Sequence, residues 1–75
     1  MSSPVREPNF EALRLELSKQ RSSRRWTYDE LSERSGVSRR TLIAMETGTT
    51  NGRLESWFRI AQALDVSVGE LFSRL

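Results

Sequence analysis

The chain has 75 residues, enough for one domain around a small core. It contains no cysteine and no histidine. That excludes a disulfide framework and thiolate metal sites, and removes both the usual general base and the commonest metal ligand. The formal net charge is +2, too small by itself to imply a nucleic-acid partner, so the placement of the charges must carry any such claim.

Of the 12 basic residues only Lys19 is not arginine, a bias that a GC-rich genome would also produce. The opening MSSPVREPNF has no apolar segment of the kind a signal peptide needs, and no run approaches the roughly 20 apolar residues of a membrane span. The expectation is a cytoplasmic protein with no membrane partner. Ten carboxylates pair somewhere by chance in a chain this short, so no enzyme, cofactor or metal site is expected.

Residues 1–8 hold both prolines and show no periodicity, and read as a flexible tail preceding a domain over 9–75. Phe10, Leu13 and Leu17 then recur at helical spacing after Asn9, an N-cap residue type. This predicts a first helix ending near Ser22–Arg24. Thr27 and Glu30 have the spacing of a capping box, so a second helix is expected over about Tyr28–Arg34, stopped by Gly36. Ser38 caps a third, about Arg39–Thr47, which ends at Gly48. The Thr49–Gly52 stretch is a loop by composition. Leu54, Trp57, Phe58, Ala61 and Leu64 predict the inward face of a fourth helix. Arg53 stands at its N-cap position, so Asn51 is the alternative cap. Ser67 and Glu70 form a second capping box that opens a fifth helix, with Leu71, Phe72 and Leu75 apolar. No alternating strand pattern competes, and the expected fold is an all-α, compact five-helix bundle.

Two short helices joined by Ser35–Gly36–Val37–Ser38 have the helix-turn-helix pattern, with Val37 as the apolar plug of the corner. At roughly 100° per residue, Thr41, Leu42 and Met45 of the third helix cluster toward the core. Arg40, Ile43, Ala44 and Thr47 face outward, and Arg39 and Glu46 lie on the flank. Arginine can donate two bonds to guanine O6 and N7, and apolar groups can contact thymine methyls. The same residues also fit a plainer arrangement, with both arginines solvated and Ile43 packed on a neighbouring helix. The start of the second helix offers unpaired amides and a positive dipole end to a phosphate, with Arg24 and Arg25 just before it. The Thr49–Asn51 loop adds donors. Equally, Thr27 could only cap and the loop could only be solvated.

From Leu17 to Phe72 the chain resembles the phage repressor and Cro type of helix-turn-helix, the xenobiotic-response-element family. The resemblance rests on Arg21, Thr27–x–x–Glu30–Leu31, Gly36–Val37–Ser38–x–x–Thr41–Leu42, Met45–Glu46–x–Gly48, Asn51, Leu54–Glu55, Ile60–Ala61–x–Ala63–Leu64, Val66–Ser67 and Glu70–Leu71–Phe72. It implies a lambda-repressor-like DNA-binding domain whose helix-turn-helix is formed by the second and third helices. It implies that Arg39, Arg40, Ile43 and Ala44 face base edges, and that Arg21 pairs with Glu46. Ser38, Thr41 and the Thr49–Thr50–Asn51 loop would hold phosphates. With Thr27, Tyr28 and Thr47 these complete the expected phosphate set. Two departures stand out. Tyr28 occupies a position where glutamine is common, and Gly52 one where proline is often found.

The resulting expectation is a sequence-specific transcription regulator, a repressor, that binds a palindromic operator in double-stranded DNA as a homodimer. The third helix would lie in the major groove, with the fifth helix (Val68, Leu71, Phe72, Leu75) and the end of the fourth as the dimer contact. The alternative is an antitoxin-like module of the same fold that binds a toxin or other partner protein.

Overall fold

A computed structural model describes residues 7–75. The tail expected at 1–8 falls outside the described residues except for Glu7 and Pro8, which are exposed and belong to no helix. Five helices follow in order: α1 (Phe10–Ser23), α2 (Tyr28–Ser35), α3 (Arg39–Thr47), α4 (Leu54–Leu64) and α5 (Val68–Phe72). Among the described residues there is no strand, as the absence of alternating patterns implies. None of the described helices is long and apolar enough to cross a membrane.

The helix starts follow local chemistry. Asn9 Oδ1 accepts from the Ala12 amide at 3.0 Å, Thr27 Oγ1 from the Glu30 amide at 3.1 Å, and Ser67 Oγ from the Glu70 amide at 3.0 Å. Each satisfies a donor that the first helical turn leaves unpaired. The reciprocal half of the Thr27 box is not formed, because Glu30 turns its carboxylate to Arg34, one helical turn on, at 2.8 Å. The start of α4 also departs from expectation. Arg53 is its N-cap and makes no side-chain cap. Asn51 does not replace it; its main-chain carbonyl instead accepts from Trp57 Nε1 at 2.8 Å.

The turn between α2 and α3 is tight because Gly36 adopts φ +78°, where a Cβ would be strained. Ser35 is buried, and its hydroxyl accepts from the Val37 amide at 3.1 Å. Val37 is buried in the corner, as its apolar character predicts.

α2 packs on α3 and α4, α1 packs on α3 and α5, and α4 packs on α5. The recognition-helix candidate α3 is thus held from behind by two helices. Its Leu42 and Met45 are fully buried, in one cluster with Leu13, Leu17, Leu31 and Ile60. Burial of side chains this size stabilises by roughly 1.5–3 kcal/mol each. The expected inward face of α4 is corrected in phase. Trp57, Ile60, Ala61 and Leu64 are buried, whereas Leu54 is 67% and Phe58 52% exposed. With apolar residues around most of α4, contact with α2 and α5 selects the stripe through Ile60 and leaves Leu54 and Phe58 outside.

Candidate nucleic-acid interface

α3 divides its side chains as the wheel predicts at its extremes. Leu42 and Met45 are buried, while Arg39, Arg40 and Thr47 are exposed. Ile43 and Ala44 are half-buried, so each keeps part of its apolar surface open beside the arginines. Thr41 is also half-buried rather than in the core.

Behind this face lies a coupled polar cluster. Arg21 Nε donates to Glu46 Oε2 at 2.8 Å, and Nη2 to Oε1 at 3.1 Å. Arg21 Nη1 also donates to the Trp26 carbonyl at 2.8 Å. The Glu46 side chain is 5% exposed and that of Arg21 16%. The two-point geometry fixes the direction of the carboxylate as well as its distance. Arg21 is held in its charged form above its ordinary pKa, first by the hydrogen bond to Glu46, against the cost of burial. Its guanidinium also stacks 4.2 Å from the Tyr28 ring centroid.

Tyr28 completes the cluster in a way the sequence does not reveal. Its hydroxyl donates to Glu46 Oε1 at 3.2 Å. A phenol has one proton, so this bond leaves none for a phosphate. In this arrangement Tyr28 is a brace that joins the start of α2 to α3. Burial first, and the Glu46 charge second, raise its pKa above the ordinary phenol value.

Other members of the expected phosphate set separate on the same donor count. The Thr47 hydroxyl donates to the Ile43 carbonyl at 2.8 Å, one turn back along α3. The Ser38 hydroxyl donates to Thr41 Oγ1 at 2.9 Å while accepting from the Thr41 amide. Its role is to cap α3, and the proton remaining for solvent is that of Thr41. Thr27 and Thr49 are exposed, as are Thr50 and Asn51; the Thr50 hydroxyl accepts from the Gly52 amide at 3.2 Å and keeps its proton. Arg24 has partners within the chain. It donates to the Gln20 carbonyl at 2.8 Å and the Leu64 carbonyl at 2.6 Å, tying the ends of α1 and α4 together.

Two features of this surface escape a linear reading. Thr41, Thr50, Gly52, Arg53 and Ser56 line an open cleft of about 330 Å³ at the uncapped start of α4. An arginine in a cap position and a missing cap were both visible in the sequence, and both favour an anion. Arg39 Nε lies 3.1 Å from Asp29 Oδ1 across the turn. Arg40 has no ion-pair partner among the described residues.

The residues expected at a dimer contact differ in their exposure. Leu71 is 1% exposed and packs in the core of its own chain, so it is not available to a second copy. Val68 and Phe72 are half-buried, with Phe72 edge-on to Trp57 at 6.0 Å between ring centroids. Leu75 remains exposed.

A helix-turn-helix family model matches residues 17–71, which takes in α2, the turn, α3 and the braces on both sides of them. No curated protein and no solved structure gives a significant match. The match covers well over half of the chain, and the chain belongs to the helix-turn-helix family of Cro and phage-repressor type, whose members are DNA-binding regulators.

Proposed function

We propose that the domain represses transcription by reading a specific operator with α3 in the major groove. The observation that carries this reading is the outward edge of α3. It combines Arg40, exposed and without an ion-pair partner among the described residues, with the partly open apolar surfaces of Ile43 and Ala44. That is a mixture suited to guanine edges and thymine methyls. Arg39 stands at the start of the same helix. The amides at the Thr27 end of α2, the Thr41 hydroxyl, the Thr49–Asn51 loop and the cleft beside Arg53 supply phosphate contacts that fix register. The Arg21–Glu46 pair, closed by Tyr28, sets the angle at which α3 meets the groove.

Two copies bind a palindrome, with recognition helices about 34 Å apart on successive turns. Exposed Leu54 and Phe58 on α4 join Val68, Phe72 and Leu75 as candidates for the contact between copies. The same apolar side chains support the second reading, a module that binds a toxin-like partner protein. Selection of binding sites from random duplex DNA, repeated across salt, tests the proposal. A recovered palindrome with a steep salt dependence supports it. Uniform, sequence-blind binding overturns it and favours the partner-protein reading, which co-purification of a second protein would then test.

A further inference from the structure

We propose that Asp29 is a specificity-determining, positioning residue that orients the Arg39 guanidinium for a guanine. This rests on the reading of α3 as the base-reading helix. Asp29 lies in the first turn of α2 and Arg39 is the first residue of α3. Their side chains are 80% and 60% exposed, so the contact adds little to stability. An acid in the first turn suits the dipole of α2, but Glu30 supplies one there already.

On a surface that meets phosphates an isolated carboxylate is unfavourable, because it opposes the phosphate charge. Arg39 offsets that charge. The contact also approaches the guanidinium on its Nε side, 3.1 Å from Asp29 Oδ1. This leaves the edge formed by Nη1 and Nη2, which can donate two parallel bonds to guanine O6 and N7. An unrestrained arginine has many rotamers and reaches any nearby phosphate as readily as a base. Asp29 limits those rotamers before DNA arrives, so less freedom is lost on binding. Arg40 has no such restraint among the described residues, and the two adjacent arginines differ in this respect.

The test measures binding of the wild type, Asp29→Asn, Arg39→Ala and the double variant to the selected duplex and to its single-base variants. Thermal unfolding checks that each variant folds. The expected result is that Asp29→Asn loses about fivefold or more discrimination at the base position where Arg39→Ala also loses it. Its binding to non-specific duplex strengthens, with a salt slope steeper by up to about 0.9 as Arg39 reaches a phosphate. In the double variant, removal of the carboxylate changes discrimination no further. If Arg39→Ala reduces discrimination at one position but Asp29→Asn leaves it intact there, the role of Asp29 is wrong and base reading by Arg39 stands. If Arg39→Ala leaves discrimination intact everywhere, base reading by Arg39 falls, and the role of Asp29 falls with it.

Discussion

The Tyr28 hydroxyl and Arg21 Nη2 converge on the same carboxylate oxygen of Glu46, at 3.2 Å and 3.1 Å. Glu46 lies on α3, Arg21 on α1, and Tyr28 is the first residue of α2. One carboxylate therefore joins three helices just behind the surface proposed to meet DNA. Removing the Glu46 charge leaves a largely buried arginine without its partner. Glu46→Gln is expected to destabilise the domain by about 2–3 kcal/mol, as for charged hydrogen bonds in buried pairs. Urea unfolding measures this, and a loss below ~0.5 kcal/mol would contradict a bracing role, since that is the scatter of ordinary surface changes.

Tyr28 gives the cluster a pH dependence whose sign is fixed. Its folded pKa lies above the ordinary value of 10.0, because burial and the Glu46 charge disfavour the phenolate. The resulting stability is fully present below the unfolded-state pKa and is lost as pH rises through the folded value. It is the only tyrosine in the chain, so its ionisation can be followed by ultraviolet absorbance without interference from another phenol. The titration should fall above pH 10, and the wild type should lose stability there while Tyr28→Phe does not. At neutral pH Tyr28→Phe should cost about 1 kcal/mol, the net worth of one hydrogen bond.

The loop into α4 is constrained by the core side of α3. Gly52 has φ +81°, and a Cβ there would come within 2.6 Å of Met45 Cε and 3.0 Å of Trp57 Nε1. Met45 is fully buried, so its side chain has little room to retreat. Gly52→Ala should therefore cost about 2 kcal/mol or more, from the left-handed backbone and the forced movement of Met45. Thermal unfolding checks this, and unchanged stability would place the loop farther from Met45. Proline, with φ fixed near −65°, cannot adopt this backbone.

Much of the fold was legible because it is local. Asn9, Thr27, Ser38 and Ser67 each cap the helix that follows by accepting from the amide three residues ahead, and Gly36 and Gly48 end theirs in the left-handed region. The burial of Leu42 and Met45 followed from the period of α3, whereas Thr41, expected on the same side, is half-buried. Other contacts depend on tertiary placement and leave no local signal. Arg24 reaches a carbonyl 40 residues away, and the Tyr28 hydroxyl a carboxylate 18 residues away. Arg21 and Glu46 are 25 residues apart, so spacing does not pair them; the family resemblance supplied that expectation. Phe58 was misplaced for a different reason. Its helix is apolar around most of its circumference, and the wheel then leaves the buried stripe undetermined to within about one residue. Ser38 and Thr47 have the right chemistry for phosphates but use their protons within the chain.

Arg40 carries the most specific expectation for DNA. It is exposed and unpaired among the described residues, so its replacement should leave the fold intact. Arg40→Ala should lose roughly 1–3 kcal/mol of binding and relax the preference at one base position. An equal loss on all sequences would make it a phosphate contact instead.

The most direct measurement replaces guanine by 7-deazaguanine, one position at a time, in the selected duplex, and compares the wild type with Arg40→Ala. N7 is exposed only in the major groove, and the substitution removes an acceptor without altering base pairing. With α3 in that groove and Arg40 on a guanine, one position should cost the wild type about fivefold or more in affinity and cost Arg40→Ala nothing further. Equal losses in both proteins at every guanine, or no loss in either, would contradict major-groove reading by Arg40.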